Sequence, residues 1–333
     1  MMDESNQTPF LFELSGEHPT LPLAELLATA RAECPNHKFI CSGPGYAVLE
    51  VDELKMPAIA ERLALTHRIG RFLGYWRGGL EGTLSIPDGS VALRVRRFGE
   101  HGRDLDIESV TRSIGKHISS GRRVDLTHPD IMVRGLVSDH LLVHMNLFEV
   151  DRAQYDLRKV KERPYFSPIS LHPKYARALV NLTELRPGQT LLDPFCGTGG
   201  ILIEAALLRL RPLGSDLSKE MIEGCGRNME HFGLTTGKLE AIDIGSILDT
   251  FGNVDGVATD PPYGRSTSTN KEELGKLYSR SMTSMRDVLV PGGRMAIMFP
   301  RHVDVPEGLS VEQSHLQKVH RSLTRYYSVM RRC

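Results

Sequence analysis

The chain is poor in cysteine, and the spacing of its cysteines excludes two kinds of site. There are five cysteines among 333 residues, and no two of them form a Cys-x-x-Cys pair. We therefore expect neither a bound metal ion nor a disulfide framework, and we expect the thiols to be reduced. Cys196 lies in a glycine-rich turn and is interpreted as a small turn residue, because no base that would activate a nucleophile is recognisable near it.

Long apolar runs and an excess of one charge are also missing. No apolar run reaches the roughly 18 residues that a membrane-spanning helix requires, and no signal peptide is recognisable. Lys and Arg together number 41, as do Asp and Glu, so any surface for nucleic acid must be a local patch. These absences predict a cytoplasmic protein with no membrane contact.

The order of apolar segments predicts an α/β protein of several units. Residues 1–54 have the pattern of a small α+β appendage. Residues 55–148 predict a second unit, in which we expect an amphipathic helix over Ile59–Leu73 and a hairpin over residues 131–147. Residues 149–165 are polar and charged, which is typical of a linker.

Strands alternate with helices throughout residues 166–333. This alternation predicts a Rossmann-like sheet of seven strands. The last two predicted strands, near Leu309–Gln313 and Thr324–Met330, have only a short connection, so we expect them to pair antiparallel. A predicted helix over Pro173–Leu182 precedes the first strand.

A glycine-rich turn, Asp193–Gly200, follows the first of these strands. Such a turn is where an open α/β sheet binds a nucleoside cofactor. It has no Gly-Lys-Ser/Thr ending, and Leu202 takes the third glycine position of Gly-x-Gly-x-x-Gly, so it matches neither phosphate motif. The strand-end acid favours a cationic ligand such as S-adenosylmethionine, which Gly197 and Gly199 allow to approach the backbone. A tight packing turn is the alternative.

Two further acids end the next predicted strands. Asp216 is placed where a carboxylate would bind ribose hydroxyls, although a strand-end Asp can equally cap the following helix. Asp243 is placed to accept from the adenine amino group, with Ile244 bordering the ring. Acids on three successive strands favour a cofactor site, with Phe166 and Ser170 near its methionine end.

The segment Asp-Pro-Pro-Tyr-Gly, residues 260–264, ends another apolar strand. The exocyclic amine of a nucleobase is a poor nucleophile, because its lone pair is delocalised into the ring. Asp260 and the Pro261 carbonyl can accept the two amine protons, in a geometry that the prolines fix, and Tyr263 can stack on a flipped base. With the cofactor site, this predicts methyl transfer to a nucleobase amine. The alternative is a Pro-Pro turn with Tyr263 in ordinary packing.

These segments resemble one family, the archaeal tRNA guanine-10 N2-dimethyltransferases. The similarity covers essentially the whole chain, is loosest before residue 55, and includes a THUMP-like stretch over residues 124–133. The segments that carry the similarity in the C-terminal half are residues 166–182, 193–200, 260–266 and 320–325.

The resemblance implies transfer of one and then a second methyl group from S-adenosylmethionine to N2 of a guanosine in tRNA. It implies that Asp260 and Tyr263 contact the guanine. By the same resemblance, Asp193, Gly197 and Gly199 bind the methionine part of the cofactor. Asp216 binds its ribose, and Asp243 binds its adenine.

The resemblance also concerns partners. It implies that the THUMP module and the N-terminal appendage dock the acceptor 3′ end of the tRNA, and Lys116, Arg122 and Arg123 are the predicted RNA contacts. We expect a monomer, and the family also allows a small activating protein partner. The open alternatives are an N2-guanine methyltransferase for another tRNA or rRNA position, a DNA adenine-N6 methyltransferase, and a non-catalytic RNA-binding subunit.

Overall fold

The computed structural model describes residues 7–166, 170–262, 273–301, 303–320 and 323–333. The chain forms two compact units. The first is built from residues before Arg152, and the second comprises Arg152–Cys333 with the short stretches Leu27–Ala32 and Arg62–Ala64. Within the described ranges, none of the helices combines the length and the apolar character needed to span a membrane.

Strands from both predicted units, residues 1–54 and 55–148, form a single sheet. Its strand order is β2-β3-β1-β4-β8-β7-β6, with β5 paired to β4. Only β6 and β7 pair in parallel among the described strands of this sheet. The elements are β1 (Gln7–Leu14), α1 (Leu21–Glu33), β2 (Lys38–Gly43), β3 (Tyr46–Asp52), α2 (Met56–Arg62), β4 (Thr66–Trp76), β5 (Leu80–Gly82), β6 (Val91–Arg97), α3 (Ile107–Ile118), β7 (Ile131–Val137) and β8 (Leu141–Glu149).

The helix predicted over Ile59–Leu73 is wrong. The helix α2 ends at Arg62, and β4 begins at Thr66 and pairs with β1 and β8. The pairing with β8 shifts register twice, between Ile69 and Gly70 and again before Gly74. These irregularities break the two-residue alternation of a regular strand, so the buried positions recur every three or four residues and imitate a helix. The predicted hairpin over residues 131–147 is confirmed by β7 and β8.

The second unit contains the predicted seven-stranded sheet. Its order is β11-β10-β9-β12-β13-β15-β14, and the expected antiparallel pairing of the last two strands is confirmed. The elements are α4 (Pro173–Leu182), β9 (Thr190–Asp193), α5 (Gly200–Leu207), β10 (Arg211–Asp216), α6 (Lys219–His231), β11 (Leu239–Ala241), α7 (Ile247–Phe251), β12 (Val254–Thr259), α8 (Leu274–Val288), β13 (Leu289–Phe299), β14 (Leu309–His320) and β15 (Leu323–Arg332).

The strand order reverses at β9, which lies between β10 and β12 and is parallel to both. In an open parallel sheet, ligands bind in the crevice beyond the carboxyl ends of the strands at such a reversal. Asp193 and Thr259 are the last residues of β9 and β12. The topology therefore brings the glycine-rich turn and the Asp-Pro-Pro segment to the same edge of the sheet.

Residues 152–165 pack as part of the second unit. They form two short 3-10 turns, Ala153–Arg158 and Val160–Glu162. Tyr155, Arg158 and Arg163 are buried. Composition alone does not reveal this packing, because two of the three buried side chains are arginines, which ordinarily remain exposed.

Candidate cofactor and catalytic site

The glycine-rich turn has the backbone geometry that glycine allows and other residues resist. Gly197 and Gly199 have φ of +49° and +84°, and Gly199 caps the N terminus of α5. A Cβ atom on Gly199 would lie 2.6 Å from the Cys225 sulfur. Gly199 therefore satisfies both a left-handed backbone conformation and a close approach to α6, which explains the residue type at this position.

Cys196 lies in this turn as a buried thiol. Hydrogen bonding to Cys225 and burial raise the pKa of the Cys196 thiol well above its ordinary value. A thiol that stays protonated at neutral pH is a poor nucleophile. The environment of Cys196 agrees with its interpretation as a small turn residue.

Asp193 is the most deeply buried of the predicted site acids, with 2% of its surface exposed. Its Oδ1 accepts hydrogen bonds from Thr259 Oγ1 at 2.6 Å and from the Phe195 amide at 3.2 Å. Burial raises the pKa of Asp193 to about 7, against the lowering effect of these hydrogen bonds. A cation bound beside Asp193 would favour its ionised form, so the site fits a ligand with positive charge, such as the amino and sulfonium groups of S-adenosylmethionine.

Asp216 connects the end of β10 to the glycine-rich turn. Its carboxylate accepts from the Gly197 amide at 3.1 Å and from the Ser218 amide at 2.9 Å. The N-cap of α6 is Ser218, whose hydroxyl accepts from the Met221 amide. Asp216 is therefore not the residue that caps this helix, and burial raises its pKa.

Asp243 is held by an arginine that the sequence did not reveal. The guanidinium of Arg280, on α8, donates to both carboxylate oxygens of Asp243, the longer bond being 3.1 Å. This hydrogen bonding lowers the pKa of Asp243, although the side chain is exposed. Ile244, the next residue, is buried. Asp243 Oδ1 also accepts from the Gly245 amide at 2.8 Å. A carboxylate oxygen has two lone pairs, so the acceptor capacity that remains for a ligand lies on Oδ2.

The Asp-Pro-Pro segment begins directly after β12. Asp260 is half-buried, and Pro261 is buried. The Tyr278 hydroxyl, on α8, donates to the Pro262 carbonyl at 2.7 Å. Burial raises the pKa of Tyr278 to about 12, so the hydroxyl stays protonated and can donate at neutral pH. Tyr263, the predicted stacking residue, lies outside the described residues.

The segment before Ser170 is joined to the glycine-rich turn by Asn228 of α6. The Asn228 amide group donates to the carbonyls of Tyr165 and Thr198, both at 3.0 Å, and its Oδ1 accepts from the Tyr165 amide at 2.9 Å. Phe166 follows with an exposed side chain, and Ser170 is half-buried. This bridge was not predicted, because its members are distant in the sequence.

The three predicted RNA contacts differ in their surroundings. Lys116 is exposed on α3. Arg123 is exposed and forms an ion pair with Asp125 at 2.8 Å. Arg122 instead donates to the backbone carbonyls of two residues in the preceding loop, Ile86 and Pro87. Lys116 and Arg123 therefore expose cationic groups to solvent, the second in an ion pair with Asp125, while Arg122 holds a loop.

Metal ligands are not clustered in the part of the chain that the structure describes. No group of three or more His, Cys, Asp or Glu side chains is arranged there to hold an ion. The acids at the strand ends are instead engaged with backbone amides, Thr259 and Arg280.

The sheet order and the acids around the glycine-rich turn define a class, the S-adenosylmethionine-dependent methyltransferases. Residues 161–327 match the family UPF0020, described as an RMKL-like methyltransferase domain. The chain is an enzyme of this class, and S-adenosylmethionine is its cofactor.

Two relatives narrow the class to a family. The chain is 35% identical over 334 residues to the tRNA (guanine(10)-N2)-dimethyltransferase of Methanothermobacter thermautotrophicus, covering 96% of this chain and 98% of that protein. It is 34% identical to the enzyme of the same name from Pyrococcus abyssi, covering 85% and 89%. The chain belongs to this methyltransferase family. The crystal structure of TrmN from Thermus thermophilus shares the fold, with a TM-score of 0.56 at 23% identity over 98% of this chain and all of that one.

Proposed function

We propose that this protein methylates the exocyclic N2 of a guanosine in tRNA. The observation that carries the proposal is the adjacency of two strand ends: Asp193 ends β9, Asp260 follows β12, and the Thr259 hydroxyl joins them. A methyl donor beside Asp193 would then face an amine held by Asp260. The names of the relatives support guanine N2 as the acceptor.

The catalytic task falls to the Asp-Pro-Pro segment. When it is bound, S-adenosylmethionine would supply the methyl group: its sulfur–methyl bond would break as the nitrogen–carbon bond forms, S-adenosylhomocysteine would leave, and the displaced amine proton would pass to Asp260 or to water. The Asp260 carboxylate and the Pro261 carbonyl accept the two protons of the guanine amine and draw its nitrogen toward tetrahedral geometry, which frees the lone pair. Tyr278 fixes the turn through the Pro262 carbonyl. Tyr263 stacks on the guanine, an interaction worth about 1–3 kcal/mol.

The cofactor is held by the acids at the carboxyl edge of the sheet. Asp216 takes the ribose hydroxyls, while Asp243 and Ile244 border the adenine. Phe166 and Ser170 lie toward the methionine end. Asp193, Gly197 and Gly199 bind the methionine part, and the buried acid with a raised pKa supports this role, because pairing with a cation relieves its cost of ionisation.

Residues 1–148 bind the RNA. They comprise an appendage (residues 1–54) and a THUMP-like unit (residues 55–148). Residues 149–165 connect them to the methyltransferase domain, residues 166–333. A cavity of about 530 Å³ in the first unit supports this division. Its walls include Tyr75, Arg77 and His140, while Trp76 also lines it but is buried in the core of this unit. The partly exposed ring of Tyr75 and the exposed ring of His140, beside a cation, suit an unpaired nucleotide. Lys116 and Arg123 contribute contacts to phosphates.

The proposed position is guanosine 10, methylated once and then again, in a cytoplasmic monomer. The test is mass spectrometry of nucleosides after the purified chain has been incubated with unmodified tRNA and labelled S-adenosylmethionine. We expect N2-methylguanosine followed by N2,N2-dimethylguanosine, and none from a transcript in which guanosine 10 is replaced by adenosine.

Other outcomes of this assay separate the alternatives. Equal product from the transcript without guanosine 10 would show that another guanosine is methylated. Product only from ribosomal RNA would show that the substrate is ribosomal RNA and not tRNA. Methyl groups on adenosine N6 would refute the guanine assignment. Product that appears only after a cell extract is added would indicate an activating protein.

A further inference from the structure

Two buried arginines bind one buried carboxylate beside the glycine-rich turn, and a third buried arginine is hydrogen-bonded to the backbone of one of them. Glu204, on α5, is fully buried and accepts from Arg158 at 2.7 and 3.2 Å and from Arg177 at 2.9 Å. Arg163 is the third arginine, with 5% of its surface exposed. Three guanidinium groups and one carboxylate give the cluster more positive than negative charge. Both oxygens of Glu204 are already bound by Arg158 and Arg177.

Arg163 is the member of the cluster whose hydrogen bonding is incomplete. Its Nε donates to the Arg158 carbonyl at 3.0 Å, whereas its Nη1 is buried without a hydrogen-bond partner. A buried donor that is left unpaired is costly, and more so when it carries charge. Burial lowers the pKa of Arg163, and Glu204 only partly opposes this effect. An additional anion would relieve the desolvation of this group.

The unpaired guanidinium lies at the start of α5. A Cβ atom on Gly200, the first residue of the helix, would be 3.3 Å from Arg163 Nη1 and 3.5 Å from its Nη2. The first amides of a helix lack intrahelical acceptors and favour negative charge. Arg163 and the N terminus of α5 therefore present donors to the same place, directly after Gly199.

The backbone around Arg163 is fixed relative to the turn. Two residues further on, Tyr165 is bound through both its amide and its carbonyl to the Asn228 side chain, which also holds the Thr198 carbonyl. The backbone carbonyl of Arg158 accepts the hydrogen bond from Arg163 Nε, while the buried side chain of Arg158 binds Glu204. Arg163 is thus anchored before and after its own position, so its guanidinium is preorganised.

We propose that Arg163 binds the carboxylate of the methionine part of S-adenosylmethionine. The acids assigned to the cofactor suit its amino, sulfonium and hydroxyl groups, and none of them can bind its carboxylate. A guanidinium is the side chain best shaped for that group. The inference rests on the glycine-rich turn being the cofactor site and is independent of which RNA is methylated.

The test compares two ligands that differ only in this group: S-adenosylmethionine and its decarboxylated form. Calorimetry with the full chain should give a dissociation constant roughly 10- to 100-fold lower for S-adenosylmethionine, as expected for a charged hydrogen bond. In Arg163→Met this preference should disappear, because binding of the decarboxylated ligand stays within about threefold of wild type. Arg163→Lys, which keeps the charge without the fork, should retain part of it.

The matched control is Arg177→Met, which removes another buried guanidinium from the same cluster. It should lower thermal stability and leave the preference between the two ligands unchanged. Equal weakening of both ligands in Arg163→Met would mean a structural role and overturn the proposal. If Arg163→Met does not fold, the wild-type comparison still decides, since equal affinity for both ligands would show that the carboxylate is not recognised.

Failure of the cofactor site itself would look different. Gly199→Val places a side chain against Cys225 and should abolish binding of both ligands. If Gly199→Val binds both as wild type does, the site lies elsewhere and the assignment of the turn is wrong. If it abolishes binding while Arg163→Met changes nothing, only the role of Arg163 is wrong.

Discussion

Thr259 Oγ1 donates a hydrogen bond of 2.6 Å to Asp193 Oδ1, between the last residues of two neighbouring parallel strands. Asp193 belongs to the proposed cofactor site, and Thr259 immediately precedes the proposed catalytic acid. The bond stabilises the ionised form of Asp193, whose pKa burial raises to about 7. One hydroxyl therefore influences the charge of the cofactor site and the position of the catalytic strand.

Replacing Thr259 with Val should raise the pKa of Asp193 further, because a hydrogen bond to the charged form is lost. If the cofactor's cationic part pairs with ionised Asp193, wild-type affinity should rise with pH through about 7. In Thr259→Val the same rise should occur at higher pH. Calorimetry between pH 6 and pH 9, in steps on the order of half a unit, measures this shift. Thr259→Ser keeps the hydroxyl and should follow wild type, and superimposed profiles for Val and Ser would refute the coupling.

Asp193→Asn should abolish cofactor binding while stabilising the ligand-free protein above neutral pH. The pKa of Asp193 is raised from 3.8 to about 7 in the folded state. Its contribution to stability is therefore fully present below pH 3.8 and is lost as pH rises through about 7. Asn cannot ionise, so at pH 8 the variant should gain on the order of 2–4 kcal/mol.

Denaturant unfolding of the ligand-free protein at pH 8 and pH 5 measures this gain, which should shrink at the lower pH. Asp255→Asn, at the start of the neighbouring β12, is the control, because the pKa of Asp255 is lowered and its loss should destabilise. A variant Asp193→Asn that is less stable than wild type at both pH values would contradict the raised pKa.

The strand-end acids could be predicted from the sequence, whereas their partners could not. Asp193, Asp216 and Asp243 each follow a short apolar run, and parallel strands bring such ends to one edge. Arg280 and Tyr278 lie on α8, beyond the next strand in the chain, and their contacts depend on which face of that helix meets the sheet. For the same reason, the composition of residues 149–165 predicts a polar linker and does not distinguish Arg163: only packing separates a buried arginine from an exposed one.

Tyr278→Phe should lower the rate of methyl transfer with little effect on cofactor affinity. The hydroxyl fixes the Pro262 carbonyl, one residue from the proposed acceptor of an amine proton. Losing one neutral hydrogen bond should reduce kcat roughly 3- to 10-fold. Single-turnover kinetics with saturating tRNA, alongside calorimetry with S-adenosylmethionine, separates the two effects. Ser281→Ala, which removes a buried hydroxyl from the same helix, should leave kcat unchanged. Equal losses in both variants would indicate general destabilisation of α8.

Asp260→Ala should remove most of the activity and keep the cofactor. Its interaction with the amine strengthens as nitrogen rehybridises, so the loss should fall on kcat. By analogy with oxyanion-hole donors, we expect about a hundred- to a thousandfold decrease. Single-turnover rates, together with calorimetry, check this. A rate within a few-fold of wild type would refute the proposal that Asp260 holds the amine.

The surface of the first unit gives the last prediction. Lys116 and Arg123 are exposed, whereas Arg122 holds the carbonyls of Ile86 and Pro87. Lys116→Ala combined with Arg123→Ala should therefore weaken tRNA binding at unchanged thermal stability, and the loss should shrink as salt rises, because phosphate contacts act through counterion release. Arg122→Ala should instead lower the melting temperature.

Filter binding at two salt concentrations and thermal scans of the three proteins test this division. Trimming the single-stranded 3′ end of the tRNA tests the proposed docking of that end, and the affinity of the wild type should fall. If Lys116 and Arg123 contact the trimmed nucleotides, trimming should lower the affinity of the double variant by a smaller factor. Equal affinity of wild type for trimmed and full-length tRNA would show that the first unit does not recognise the 3′ end. In that case the phosphate contacts of Lys116 and Arg123 would lie on the body of the tRNA.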